Sequence, residues 1–245
     1  MVVSVCDRSA SWGRRAAVTL TPMEYAEIAR AESERGELVL RTRREDGAPE
    51  VLELRANGVF VMDTVETTSE RALATAALGL VESPGSVLVG GLGLGFTMRE
   101  VLDDPRVERC TVIEIEQALV DWMRDGTIPH GPALLADKRL QIVDADIVRA
   151  VAEAMSTYDL VLLDVDNGPG YLVHATNAEV YEPGFLAATR GIIDPGGALA
   201  IWSANPAPEL AEAMEQVFGN CTEHRYDVLL QDRPEQYLLY VARRE

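Results

Sequence analysis

The residues of this sequence best suited to chemistry are a run of glycines and a set of acids that follow apolar segments. VLVGGLGLGFTMREVL carries an aliphatic run straight into Gly90, Gly91, Gly93 and Gly95 and then into residues of helical period. Glycines so placed permit a tight turn and a close approach of backbone to a ligand. The helix that follows directs unpaired N–H groups at whatever sits above the strand end. The same pattern also serves close strand-to-helix packing. Glu114 adds a second signal, closing the next apolar run 19 residues after Gly95, where a carboxylate can accept hydrogen bonds from both hydroxyls of a ribose. Asp146 follows the third run and Asp164 ends the fourth. A single acid at such a place is more commonly a helix N-cap. Three in register with a glycine loop describe a ligand site at the carboxyl ends of parallel strands.

Strands and helices must hold these residues in place. Residues 87–90, 110–115, 140–145, 159–165 and 198–204 are aliphatic or β-branched runs bounded by turn residues, and they read as five strands. TMREVLDD, QALVDWMRD, IVRAVAEAM and EPGFLAATRGI lie between them with apolar residues three or four apart, as helices packing one face on a sheet require. This alternation predicts an α/β fold, a Rossmann-like, doubly wound and mostly parallel sheet. ELAEAMEQVFGN reads as a last helix. YDVLLQDRPEQYLLYVARR reads as two strands joined through Asp232-Arg233-Pro234, an antiparallel pair at the sheet edge. Residues 1–85 differ from the rest: GELVLRTRR and EVLELRANGVFVMD are β-hairpin material with a turn at Asp46-Gly47. A helix follows, capped near residues 67–69 and stopped near Ser83-Pro84-Gly85. The division expected is a small β-region with its linking helix over 1–85 and a ligand-binding domain over 86–245. Arg41, Arg43 and Arg44 read as solvated protection of a hairpin edge.

The chain has 245 residues, with 22 Lys and Arg against 40 Asp and Glu, for a formal charge of −18. That field repels polyanions, so nucleic acid and anionic membranes are not expected partners. Cys6, Cys110 and Cys221 are odd in number and far apart, which suits a reducing compartment and offers neither a disulfide framework nor a CxxC metal site. With three scattered histidines, no metal is expected. No run approaches the roughly 18 apolar residues of a membrane span. The arginines of the N-terminal segment follow its apolar residues, the reverse of a signal peptide, so a cytoplasmic location is expected.

Several segments together carry a family resemblance: LRANGVFVMDTVETTSERA, the glycine loop with REVL behind it, VIEIE, VDAD, DVDNGPG and DPGGALAIWS. Over roughly residues 50–245 the chain resembles the class I S-adenosylmethionine-dependent methyltransferase superfamily, and within it the spermidine-synthase-like branch. The resemblance implies S-adenosylmethionine as cofactor. It places Gly91, Gly93 and Gly95 along the methionine part, Glu114 at the ribose and Asp146 with Ile147 at the adenine, and it counts Ile115 and Asp164 among the cofactor-binding residues. It also implies a homodimer formed through the leading β-region.

The chain departs from the aminopropyltransferases of that branch, which carry an aspartate in the glycine loop where this chain has Gly93. Their Asp-Ser-Ser-Asp-Pro loop supplies the base that deprotonates the amine, whereas this chain reads Asp164-Val165-Asp166-Asn167-Gly168. Asn167 falls at the base position and cannot accept the proton, unless Asp166 substitutes for it. The family's diamine-gripping Tyr and Glu fall on Ala76 and Leu78. These departures lead to the expectation of a methyltransferase acting on a small molecule, since methyl transfer needs alignment and exclusion of water more than a strong base. Asp166, Asn167, Tyr171, His174 and Tyr181 are the catalytic candidates, and Arg71, Arg99 and Asn177 the substrate-binding ones. Some relatives resemble enzymes that methylate isopentenyl diphosphate, which would place the chain in terpenoid biosynthesis. The competing readings are an aminopropyltransferase using decarboxylated S-adenosylmethionine, with Asp166 as its base, and a non-catalytic cofactor-binding protein.

Overall fold

The computed structural model describes residues 23–166, 168–230 and 233–245. Cys6 and the N-terminal segment, Asn167, and Asp232 at the expected C-terminal turn lie outside the described residues. The chain opens with β1 (Glu24–Ser33), β2 (Gly36–Arg44), β3 (Val51–Ala56) and β4 (Val59–Asp63), which pair in sequence order as a four-stranded antiparallel sheet. The Asp46-Gly47 turn lies between β2 and β3. A second turn, at Asn57-Gly58, splits what the sequence reading left as one segment. Asn57 at φ 51° and Gly58 at φ 77° have the left-handed geometry that two-residue hairpins favour. The sequence reading assigned nothing to β1, and its side chains are mostly exposed. Pairing with β2 through the backbone holds it in place.

The arginines of β2 are not solvated edge protection. β2 is an interior strand, so Arg41 reaches the buried Glu53 at 2.6 Å and Arg43 the buried Asp63 at 3.1 Å; the exposed Arg44 pairs with Glu50.

After α1 (Thr68–Leu80) the chain alternates through β5 (Ser86–Gly90), α2 (Phe96–Asp103), β6 (Arg109–Glu114), α3 (Gln117–Asp125), α4 (Gly131–Leu135), β7 (Leu140–Asp144), α5 (Ile147–Ala152) and β8 (Tyr158–Leu163). A 3-10 helix (Ala175–Tyr181), α6 (Pro183–Ile192), β9 (Ile193–Ser203), α7 (Pro208–Phe218), β10 (Thr222–Leu230) and β11 (Arg233–Arg243) complete it. The second sheet has seven strands in the order β10-β11-β9-β8-β5-β6-β7. β5 to β9 are parallel, and β11 and β10 close the edge antiparallel, in agreement with the sequence reading.

Strand alternation divides the core between the two faces. Val87, Val89, Val112, Leu160 and Leu162 face one cluster with residues of α1, α2 and α3. Leu88, Ile113, Val161, Leu163 and Ile201 face the other, with residues of α5, α6 and α7. Residues of the first sheet, Leu40 and Leu54 among them, join the former cluster, so the small sheet is anchored beside the carboxyl ends of the parallel strands. Among the described residues no helix is long and apolar enough to cross a membrane.

The β1–β2 turn is held by an interlock. Gly36 has φ +113°, and a Cβ there would lie 1.9 Å from Asn57 Oδ1. That oxygen accepts the Glu37 N–H at 2.9 Å, while Asn57 Nδ2 donates to the Arg35 carbonyl at 3.1 Å. Gly36→Ala is therefore expected to destabilise the first sheet by about 2–3 kcal/mol, through left-handed strain plus the displaced Asn57. Thermal melts of the variant check this.

Candidate active site

β5 is the switch point of the parallel sheet: the chain leaves it for β6 on one side and returns to β8 on the other, which opens a crevice at the strand ends. The glycine loop forms its floor. The Gly91 N–H donates to the Ile113 carbonyl at 2.9 Å and the Asp164 N–H to the Gly90 carbonyl at 2.9 Å, so the loop is tied to both neighbouring strands. A Cβ on Gly91 would meet the Asp164 carbonyl at 2.2 Å, and one on Gly93 would meet Met62 Sδ at 2.7 Å. Gly91 and Gly93 line the cleft. Gly95 begins α2 and faces Met123, Met98 and Leu134 in the core.

The acids sit along this crevice. Glu114 is 6% exposed, and its two oxygens accept the Leu92 and Glu116 N–H groups, each at 2.8 Å. Each oxygen keeps a further lone pair for a ligand hydroxyl. Asp146 caps α5 by accepting the Val148 N–H at 2.8 Å, and with Ile115 and Ile147 it also lines the cleft. Asp164 accepts the Thr97 hydroxyl at 2.6 Å. Burial holds the Glu114 and Asp164 carboxyls above the usual carboxylate range.

Asp166 is arranged differently. Its Oδ1 accepts the Val173 N–H at 2.7 Å and the Asn177 amide at 3.0 Å, whereas its buried Oδ2 has no partner among the described residues. The residue is 7% exposed and lines the cleft, and burial raises its carboxyl above the ordinary value. Such a group holds a proton more readily than an exposed carboxylate does, which suits it to proton transfer. Glu37, Glu70 and Glu116 line the same cleft, whose cationic side chains among the described residues are Arg35 and, when protonated, His174.

The sequence matches the spermine/spermidine synthase domain family over residues 66–228, about two thirds of its length. The chain belongs to this family. The polyamine aminopropyltransferase 1 of Pseudomonas aeruginosa is 31% identical over 128 residues, which are 51% of this chain and 42% of that protein. The polyamine aminopropyltransferase of Saccharolobus islandicus strain L.S.2.15 is 27% identical over 130 residues, 53% and 42% of the two chains. The matched region thus spans less than half the length of these curated relatives. Among solved structures, a spermidine synthase in complex with the transition state analogue AdoDATO superposes with a TM-score of 0.73. It is 18% identical, with 88% of this chain and 73% of that one covered, a likeness of fold.

Membership in the spermine/spermidine synthase family overturns the expectation of a methyltransferase, and with it isopentenyl diphosphate and terpenoid biosynthesis. The cleft is also physically wrong for a diphosphate. Arg71 and Arg99, expected to bind it, are not among the cleft-lining residues: Arg71 is exposed on α1, and Arg99 is half exposed on α2 with Asp103 at 3.9 Å. The walls are lined with carboxylates, which repel an anion.

Of the catalytic candidates, Asp166 and His174 line the cleft, and so does Asn177. Tyr171 is 63% exposed and lies outside it. Tyr181 packs against the core of the α6 face, where burial, with Asp166 and Asp164 nearby, pushes its phenol upward and keeps it neutral. Asn167 lies outside the described residues. Leu78 is buried in the core and Ala76 packs against it.

The sequence reading missed Arg35, Met62, Glu70, Thr97 and Glu116 as cleft residues. Glu116 and Thr97 adjoin recognised motifs. Arg35, Met62 and Glu70 come from the first sheet and from α1, whose docking over the strand ends carries no local signal.

Proposed function

We propose that this chain transfers an aminopropyl group from decarboxylated S-adenosylmethionine to an amine. The observation that carries the reading is the unpartnered Asp166 Oδ2 in an acidic cleft. An ammonium ion is not a nucleophile, so the acceptor must lose a proton, and a buried carboxylate with one free oxygen can take it. The amine nitrogen then forms a bond to the terminal carbon of the aminopropyl chain as that carbon's bond to sulfur breaks. The sulfonium takes the electron pair and departs as neutral 5′-methylthioadenosine, and Asp166 keeps the proton. The base moves one residue along from the family position, to 166, which answers the departure at Asn167.

The acids divide the remaining work. Glu114 suits the ribose, Asp146 with Ile147 suits the adenine, and Asp164 with the Gly91–Gly93 turn suits the aminopropyl arm. That arm of the donor carries an ammonium, which carboxylates hold. The α-carboxylate of intact S-adenosylmethionine would instead meet Asp164 and Asp166.

The test incubates the purified chain with either donor and a panel of mono-, di- and triamines, and reads products by mass spectrometry. The expected result is 5′-methylthioadenosine with an aminopropylated amine from the decarboxylated donor only. Methylated amine from the intact donor, or no turnover with either, would overturn the proposal.

A further inference from the structure

Arg35 stands at the tip of the β1–β2 turn, lines the cleft and reaches the loop after β6 and the 3-10 helix after β8. Its Nη2 donates to Asn177 Oδ1 at 2.5 Å and its Nη1 to Thr176 Oγ1 at 3.2 Å, while its Nε lies 3.5 Å from Glu116 Oε1. Ser33 Oγ donates to the same Glu116 oxygen at 3.3 Å. The turn therefore bridges the loop after β6 and the 3-10 helix after β8. It does so in a conformation that Gly36 permits and Asn57 fixes.

The consequence for Asn177 follows from donor inventory. A guanidinium has only N–H donors, so the amide atom that meets it must be the oxygen. The other atom of the same amide is then the NH₂ group, and it faces Asp166 Oδ1 at 3.0 Å. Without Arg35 the amide is free to turn its oxygen toward the carboxylate, which would remove a donor and add lone-pair repulsion. With Arg35 in place, Oδ1 is fully engaged by Val173 and Asn177, and the proton-accepting role falls to Oδ2.

We propose that Arg35 is a positioning residue: by locking the Asn177 amide it fixes which oxygen of Asp166 is engaged and which is free to take the acceptor's proton. The inference rests on the reading of Asp166 as the proton acceptor. It also makes the site incomplete without the first sheet, since the lock is delivered from that sheet.

The groups set against Asp166 are His174 at the N-cap of the 3-10 helix, Tyr181 on that helix and Arg35 from the turn. Of these, Arg35 and His174 favour its ionised form, and burial opposes it. Removing Arg35 takes away its charge and the fixed donor together, so the carboxyl must become harder to ionise.

The test is a carbon-13 NMR titration of the carboxyl groups in aspartate-labelled protein, with Asp166 assigned by its loss in Asp166→Asn. Wild type, Arg35→Ala, Arg35→Lys, Asn177→Ala and the Arg35→Ala/Asn177→Ala double variant are compared, with thermal melts of each as the check on folding. Arg35→Ala and Asn177→Ala are each expected to raise the Asp166 midpoint by about half to one pH unit. Arg35→Lys should recover part of that shift, and the double variant should move less than the sum of the singles. The acidic limb of kcat/KM for aminopropyl transfer should move by the same amount, with KM for the donor changed less than about threefold.

An unmoved midpoint in Arg35→Ala, or full additivity in the double variant, overturns the positioning role; additivity would mean that Arg35 acts only as a nearby charge. Wild-type protein that transfers no aminopropyl group would instead sink the functional reading, and the NMR midpoints would still decide the role of Arg35.

Discussion

Asp166→Asn is expected to lower kcat about a thousandfold while leaving the affinity for 5′-methylthioadenosine within about threefold. The size is that of a lost general base. The asymmetry between turnover and affinity follows because Asp166 is assigned to the acceptor and not to the nucleoside. Asparagine still accepts the Val173 and Asn177 hydrogen bonds through its one oxygen, but it puts an amide where the free Oδ2 stands. The pH profile distinguishes a lost base from a disturbed fold. Because burial raises the Asp166 carboxyl, the wild-type acidic limb of kcat/KM should lie above the ordinary carboxylate range. The deficit of Asp166→Asn should narrow in alkali, where the amine, with an ordinary pKa of about 10.4 if it resembles a lysine, loses its proton to water unaided.

The same group has an opposite effect on stability. The folded chain holds the Asp166 proton to higher pH than the unfolded chain does, so between the ordinary and the raised value the native state binds more protons. Stability contributed by the protonated form is present in acid and is lost as pH rises through the folded-state value, which leaves the ionised, buried carboxylate as a cost at neutral pH. Asp166→Asn should therefore melt higher than wild type at neutral pH, with the gap closing in acid. A variant that keeps more than a tenth of the activity, or that melts lower at neutral pH, would count against the assigned role.

The doubly wound half of the fold could be read from sequence because buried parallel strands are continuous aliphatic runs, and β5, β6, β7 and β9 end at a glycine, an acid or a small polar residue while β8 runs directly into Asp164. The acids at those ends were legible for the same reason: Glu114 closes β6, Asp164 directly follows β8, and Asp146, two residues past β7, caps α5. The first sheet was only half legible. β1 is mostly exposed, rich in Glu and Ala, and paired through backbone, so neither period nor propensity marks it. The Asn57-Gly58 turn was in plain view as a hairpin dipeptide. Its importance, pinning Gly36 and hence Arg35, arises only when two turns that are distant in sequence meet. Tyr171 and Arg99 are not among the residues that line the cleft, and the sequence could not show this, because it places a residue on a loop or a helix without saying which way it points. The sequence offers Asp166 as a substitute for the base displaced at Asn167, but only the structure shows that its Oδ2 has no partner among the described residues.

Gly91→Ala is expected to destabilise the protein by about 4 kcal/mol or more, a fall in melting temperature on the order of 10 °C for a chain of this size, and to abolish ligand binding in what remains folded. Gly91 has φ +97°, a conformation that costs any L side chain, and the new Cβ would sit 2.2 Å from the Asp164 carbonyl oxygen and 3.0 Å from its carbon. Neither partner can yield. Gly91 is bonded to Ile113 on β6, and the Asp164 N–H is bonded to Gly90, so separating the loop from β8 means breaking the parallel pairing on which the cleft is built. Gly93→Ala makes the contrast. Its φ of +49° is the left-handed region that other residues tolerate, and its Cβ would meet the Met62 sulfur at 2.7 Å, on a flexible side chain that can swing aside. That variant should cost about 1–2 kcal/mol, and Met62→Ala should relieve part of it in a double-mutant cycle. Urea melts of the four variants and wild type measure both effects. Equal costs at the two glycines would mean that the Gly91 contact is not rigid. Unequal costs in the expected order mean that the first glycine brings the Asp164 backbone against the loop and so places that carboxylate on the cleft floor, while the second meets only the flexible Met62 side chain of the first sheet.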